Sequence, residues 1–196
     1  MASDTRFPEI VSIACHDLRT PLATVYGFSR TLGRLELEGP ASRYVEMIDA
    51  ASDQLGELLD QLSLVTRIES GRYEPSLAEV DSLELARAAA AELGEERVLV
   101  SGDGGPVRVD LDATRRALVQ LARAAARHGG HDSVTLVVRG PELEVSPLSR
   151  SAAPVLLGEE LRELGAAAAG ILIRALGGSL AADGERLLVR LPPAGP

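Results

Sequence analysis

One heptapeptide brings together residue types that can do chemistry at a useful spacing: His16-Asp17-Leu18-Arg19-Thr20-Pro21-Leu22. A neutral imidazole is a nucleophile near neutral pH. A neighbouring carboxylate that hydrogen-bonds one ring nitrogen sets the tautomer and raises the basicity of the other. Asp17 is such a neighbour. Thr20 follows His16 by four residues and therefore shares its helical face, one turn on. Pro21 has no N–H and clashes with the Asp17 carbonyl, so a bend is expected one turn after the histidine. Ser12, Ala23 and Gly27 lie around the same face and are small enough to admit a partner closely. Arg19, Tyr26 and Arg30 are the candidate docking side chains beside them.

A long amphipathic helix must carry this set. Val11, Ala14, Leu18, Leu22, Val25, Leu32 and Leu35 recur at helical spacing, which predicts a helix over 6–37. Glu38-Gly39-Pro40 is a stop signal, and Ser42 is a fair N-cap for a second helix. The second stripe runs Val45, Ile48, Ala51, Leu55, Leu58, Leu62 and Val65, and Ser70-Gly71 ends it. With its stripe turned to the core, the first helix places His16 about 200° around from Ala14, facing solvent. Cys15 points elsewhere and reads as an ordinary small residue. Two helices of roughly 45 Å joined by a few residues make an antiparallel hairpin. Such a hairpin cannot bury its own stripes, so a homodimeric four-helix bundle is expected.

The pattern changes after Pro75. Short β-like runs occur at 97–101, 107–110, 133–139, 142–146, 179–182 and 186–191, with helical stretches at 82–93, 111–128 and 158–176. Gly102-Asp103-Gly104-Gly105-Pro106, Gly129-Gly130, Gly140-Pro141, Gly177-Gly178 and Asp183-Gly184 read as turns. The expected class is α+β, with a helical hairpin over 1–75 and a smaller α/β sandwich over 76–196. His128 and His131 flank a glycine turn and read as unremarkable; His128 suits a helix C-terminus.

Composition narrows the function. The 196 residues carry a net charge of −9, and all 20 basic residues are Arg. Nucleic-acid binding needs a basic stripe, and none is present. A chain without Lys has neither a Walker-type phosphate loop nor a Schiff-base lysine. One cysteine and three histidines make a metal site improbable. No run of eighteen apolar residues and no secretory signal are found, so no membrane role and a cytoplasmic location are expected.

His16 to Leu22 resembles the H-box of bacterial sensor histidine kinases. The two helices resemble their dimerisation and histidine-phosphotransfer domain, a resemblance that covers residues 6–74. It implies that His16 is phosphorylated on a ring nitrogen and exchanges phosphate with an aspartate of a response-regulator receiver domain. It also implies that Asp17 acts as acid or base, and that Thr20 helps position water for dephosphorylating the regulator. Glu46, Asp49 and Asp53 on the second helix are further candidates for contact with the regulator.

Residues 76–196 fall where such kinases carry their ATP-binding domain. Asp112 to Leu118 resembles the start of the helix bearing the N-box, and Gly177-Gly178-Ser179-Leu180 the turn after the last helix. The nucleotide motifs themselves depart from the family. Its magnesium-holding Asn falls on Ala124, and the chain contains no Asn. After Leu143-Glu144-Val145-Ser146, where an Asp-x-Gly-x-Gly motif is due, stands Pro147-Leu148-Ser149-Arg150-Ser151. The glycine-rich phosphate segment is replaced by Gly165-Ala166-Ala167-Ala168-Ala169-Gly170, and the lid between the two motifs is short. The expected function is a phosphorelay histidine phosphotransferase resembling the ChpT type. It would work as a homodimer on receiver domains and bind no cofactor, with Mg²⁺ on the receiver. Two alternatives stand beside it. One is an ATP-dependent kinase that autophosphorylates His16. The other is a non-catalytic pseudokinase scaffold or a regulator phosphatase.

Overall fold

The computed structural model describes residues 6–35, 37, 39–94 and 96–195. The chain divides into two compact units, Met1–Tyr73 and Glu74–Pro196. The fold class is the expected one: a helical hairpin, then an α/β unit.

The first unit is α1 (Arg6–Gly33) and α2 (Pro40–Glu69). Pro21 lies inside α1, which continues on both sides of it. The helix stops at Gly33, earlier than the apolar stripe suggests. Ser42 is not the cap of α2. Gly39 takes that position at φ 67°, and Pro40 opens the first turn, where a missing N–H costs nothing.

The seam between the helices is narrower than the stripes. On α2 the buried residues are Val45, Ser52, Leu59 and Thr66, each seven apart. On α1 they are Cys15 and Ser29, with half-buried Leu22 midway. This heptad seam is offset from the large apolar residues. Leu18, Val25, Leu32, Leu35, Ile48, Leu55 and Leu58 remain exposed on the single hairpin. Two seam hydroxyls of α2 bond within their own helix, Ser52 Oγ donating to the Ile48 carbonyl and Thr66 Oγ1 to the Leu62 carbonyl, both at 2.7 Å, while Ser29 Oγ of α1 donates across the seam to the Val45 carbonyl at 3.3 Å. Cys15, at 1% exposure, belongs to the seam and is not a surface residue.

The second unit holds β1 (Leu77–Asp81), α3 (Ser82–Leu93), β2 (Val98–Gly104), β3 (Pro106–Asp110), α4 (Leu111–Gly129), β4 (Val134–Gly140), β5 (Glu142–Ser146), α5 (Ala153–Leu157), α6 (Leu164–Ala175), β6 (Ser179–Asp183) and β7 (Arg186–Arg190). Five strands form one sheet in the order β2-β4-β5-β7-β6. Only the β2–β4 pair is parallel. Strands β1 and β3 pair separately, antiparallel. Val134, Leu136 and Val138 of β4 alternate inward with period two, as do Leu143 and Val145 of β5 and Leu187 and Val189 of β7. They share the core with Leu118 and Leu121 of α4 and Leu172 and Ile173 of α6. Asp81 caps α3, its carboxylate accepting from the N–H groups of Leu83 and Glu84. Gly130 closes α4 in the left-handed region at φ 68°, a conformation glycine adopts without strain.

Three local readings are corrected. β1 is not among the strands expected from the sequence; its largely exposed Leu-Ala-Glu-Val-Asp becomes a strand by pairing with β3. β2 runs through the predicted glycine turn as far as Gly104, because β4 pairs alongside it to Gly140. The predicted helix over 158–176 begins only at Leu164, as α6; the short α5 lies before that range and is capped by Gly158.

Leu118 is fully buried in α4, so Leu118→Ala should destabilise the second unit by about 2–5 kcal/mol, a large-to-small cavity cost. Guanidinium titration should show the midpoint falling with the slope unchanged.

Candidate functional site

The seam sets the rotation of α1 and hence the direction of His16. Cys15 points into the hairpin, and the next residue is turned about 100° away. The His16 side chain is 84% exposed. Its Nδ1 lies 3.2 Å from Asp17 Oδ1, an exposed pair one residue apart. With Nδ1–H donated to that carboxylate, Nε2 presents its lone pair to solvent. Thr20 is exposed one turn on, and its carbonyl accepts from Thr24 Oγ1 at 3.1 Å.

The six candidate contact residues divide. Ala23 and Gly27 are exposed, and a side chain at Gly27 would meet nothing within 4 Å. Ser12 and Tyr26 are half-buried. Arg19 reaches across the hairpin, donating from Nη2 to Asp60 Oδ1 at 2.6 Å and to Ser63 Oγ at 3.4 Å. Arg30 lies over the Tyr26 ring, 4.8 Å from its centroid, with Nε 3.3 Å from Asp49 Oδ1. Both arginines are thus engaged by acids of α2. Asp60 and Ser63 were not singled out from the sequence; they escape because only the antiparallel register brings them opposite Arg19. Of the α2 acids named from the sequence, Asp49 is half-buried against Arg30, while Glu46 and Asp53 are exposed.

In the second unit, Ala124 is 0% exposed. Beside it, His128 Nε2 lies 2.7 Å from Glu163 Oε2, and Arg127 Nη1 donates to Glu163 Oε1 at 3.0 Å. The His128 carbonyl accepts from Ser149 Oγ and Ser151 Oγ, each at 3.3 Å. His128, read from the sequence as unremarkable, is therefore a hub for three segments. A Cβ at Gly165 would lie 2.5 Å from Gln120 Oε1, so the Gln120 side chain of α4 lies against the start of α6. Among the described residues no group of three or more His, Cys, Asp or Glu is placed to hold a metal ion. No helix among them is long and apolar enough to cross a membrane.

Residues 9–71 match the family of the His Kinase A (phospho-acceptor) domain. The helical hairpin thus resembles the phospho-acceptor domain of histidine kinases. The chain is 35% identical over 114 residues to the histidine protein kinase DivJ of Caulobacter vibrioides, covering 54% of this chain and 19% of that protein. It is 29% identical over 115 residues to the probable sensor histidine kinase TcrY of Mycobacterium tuberculosis, covering 52% of this chain and 24% of that one. The match thus spans a quarter or less of the length of these curated relatives. Two solved structures share the fold. Full-length ShkA, crystallised in complex with AMPPNP, superposes with a TM-score of 0.68 at 21% identity, over 95% of this chain and 47% of that one. The Acinetobacter baumannii histidine kinase AdeS gives 0.59 at 15% identity, over 92% and 98%.

The exposures of the two histidines predict an order of reaction with diethylpyrocarbonate. His16, at 84% exposure, should be acylated well before His128, whose side chain is 24% exposed and held by Glu163. Peptide mass spectrometry of a time course gives the order directly.

Proposed function

We propose that the chain is a histidine phosphotransferase of the ChpT type, passing a phosphoryl group between His16 and the aspartates of response-regulator receiver domains without ATP. The observation that carries this is the free Nε2 of His16 beside the Nδ1–Asp17 contact at 3.2 Å. In the forward step the Nε2 lone pair attacks the phosphorus of a receiver's aspartyl phosphate. The P–N bond forms as the P–O bond to the aspartyl oxygen breaks, and that carboxylate leaves with the bonding electrons. The ring would become cationic; Asp17 accepts the Nδ1 proton and leaves a neutral phosphoimidazole. The reverse step returns the proton and the phosphoryl group. Mg²⁺ belongs to the receiver in this reading.

The residues of the second unit do not fit ATP with Mg²⁺. A buried Ala124 offers no oxygen to a metal, and alanines stand where a mobile glycine segment is wanted.

The working form in this reading is a homodimer. Leu18, Val25 and Leu32 on α1, and Ile48 and Leu55 on α2, repeat every seven residues and are exposed on the lone hairpin. A second hairpin buries them as a four-helix bundle. The kinase reading draws on the relatives above, which are named as kinases, and Thr20 leaves room for phosphatase activity toward the regulator.

The deciding experiment incubates the full chain with a phosphorylated receiver and follows the label. Label should appear on His16, vanish in His16→Ala, and transfer about 10²–10⁴-fold more slowly in Asp17→Asn, the usual range for one acid–base group. Label from ATP on His16 instead would establish the kinase. Loss of receiver phosphate that persists in His16→Ala would point to the phosphatase. Sedimentation should find a dimer, and Leu55→Glu should leave monomers.

A further inference from the structure

In the second unit, Gln120, Ala124, Arg127 and His128 fall along one face of α4 at spacings of four, three and one. The start of α6 meets this face at both ends. Gly165 abuts Gln120, and the Glu163 carboxylate is held by Arg127 at 3.0 Å and by His128 at 2.7 Å. Ala124, between those ends, is completely buried.

Glu163 itself is unusual. It is the N-cap residue of α6, yet its side chain accepts no N–H from that helix. Its carboxylate turns to the last turn of α4 instead. Both dipoles favour the arrangement, with the Arg127 guanidinium at the C-terminus of α4 and the Glu163 carboxylate at the N-terminus of α6. The close approach behind the clamp is possible because both helices are built from small residues. Ala117, Ala122, Ala124 and Ala125 are buried on α4, and Ala166, Ala168 and Ala169 on α6.

We propose that α6 with Glu163 is a built-in plug. The Glu163 carboxylate is the anion held by Arg127 and His128, and the helix behind it fills the face of α4 that carries Ala124. This deepens the nucleotide-free part of the reading above: the face is closed by the chain's own packing and charge, beyond having lost its ligating residues. Restoring one asparagine would not reopen it.

Amide hydrogen exchange on the full chain tests this in two arms. In the first, the wild-type protein is given millimolar AMPPNP with Mg²⁺. Exchange over 119–128 and 158–170 should be unchanged; protection there would overturn the plug. In the second, Glu163→Gln keeps the shape and removes the charge. Exchange over 158–170 should rise about tenfold or more as that segment opens locally, with 179–190 unaltered. No change, or an equal rise throughout the unit, would overturn the clamp. Neither arm involves His16, so transfer from a receiver stands or falls separately.

Discussion

The rotation of one helix governs which side chains the N-terminal unit presents to solvent. Cys15, Leu22 and Ser29 on α1 face Val45, Ser52, Leu59 and Thr66 on α2 across a seam with a seven-residue repeat. With that seam fixed, His16 has one direction left to it, outward. The seam is built from small and hydroxyl-bearing side chains, so it brings the helices together without using the large apolar residues. Those remain along a neighbouring stripe. The division separates the residues that set the direction of the imidazole from those that leave an apolar stripe exposed on the lone hairpin.

Charge pairs reinforce the register. Arg19 to Asp60 and Arg30 to Asp49 both cross from α1 to α2. They are partly exposed, and pairs of that kind contribute at most about 1 kcal/mol each. Their effect is better seen as choosing one antiparallel alignment over its neighbours. They also engage Arg19 and Arg30, the two arginines read from the sequence as docking side chains, which leaves the open surface beside His16 to Ala23 and Gly27.

The second unit follows a different logic. Its sheet and helices are held by a large aliphatic core, and its Ala-rich helices lie close. In such packing an inserted polar side chain has no room and no partner. Ala124 therefore fits as core, and Glu163 is held where it lies by the Arg127 guanidinium and the His128 ring.

Much of this was legible in the sequence. Hydrophobic periodicity marked both long helices, and alternation marked six of the seven strands, because those patterns follow from helix and strand geometry. The spacing of His16, Asp17 and Thr20 was legible for the same reason. β1 was not, since a five-residue exposed run becomes a strand only when β3 lies beside it. The seam was misplaced, because several apolar stripes on a helix satisfy the same period and only the partner helix selects one. Asp60 beside Arg19 and Glu163 on His128 were invisible, being 41 and 35 residues from their partners. The sequence by itself determined most of the elements, the class and the spacing of His16, Asp17 and Thr20, all of which rest on local spacing. Tertiary structure alone decided which stripe is buried, which charges meet and which face of α4 is sealed, because those depend on contacts between residues that only folding brings together.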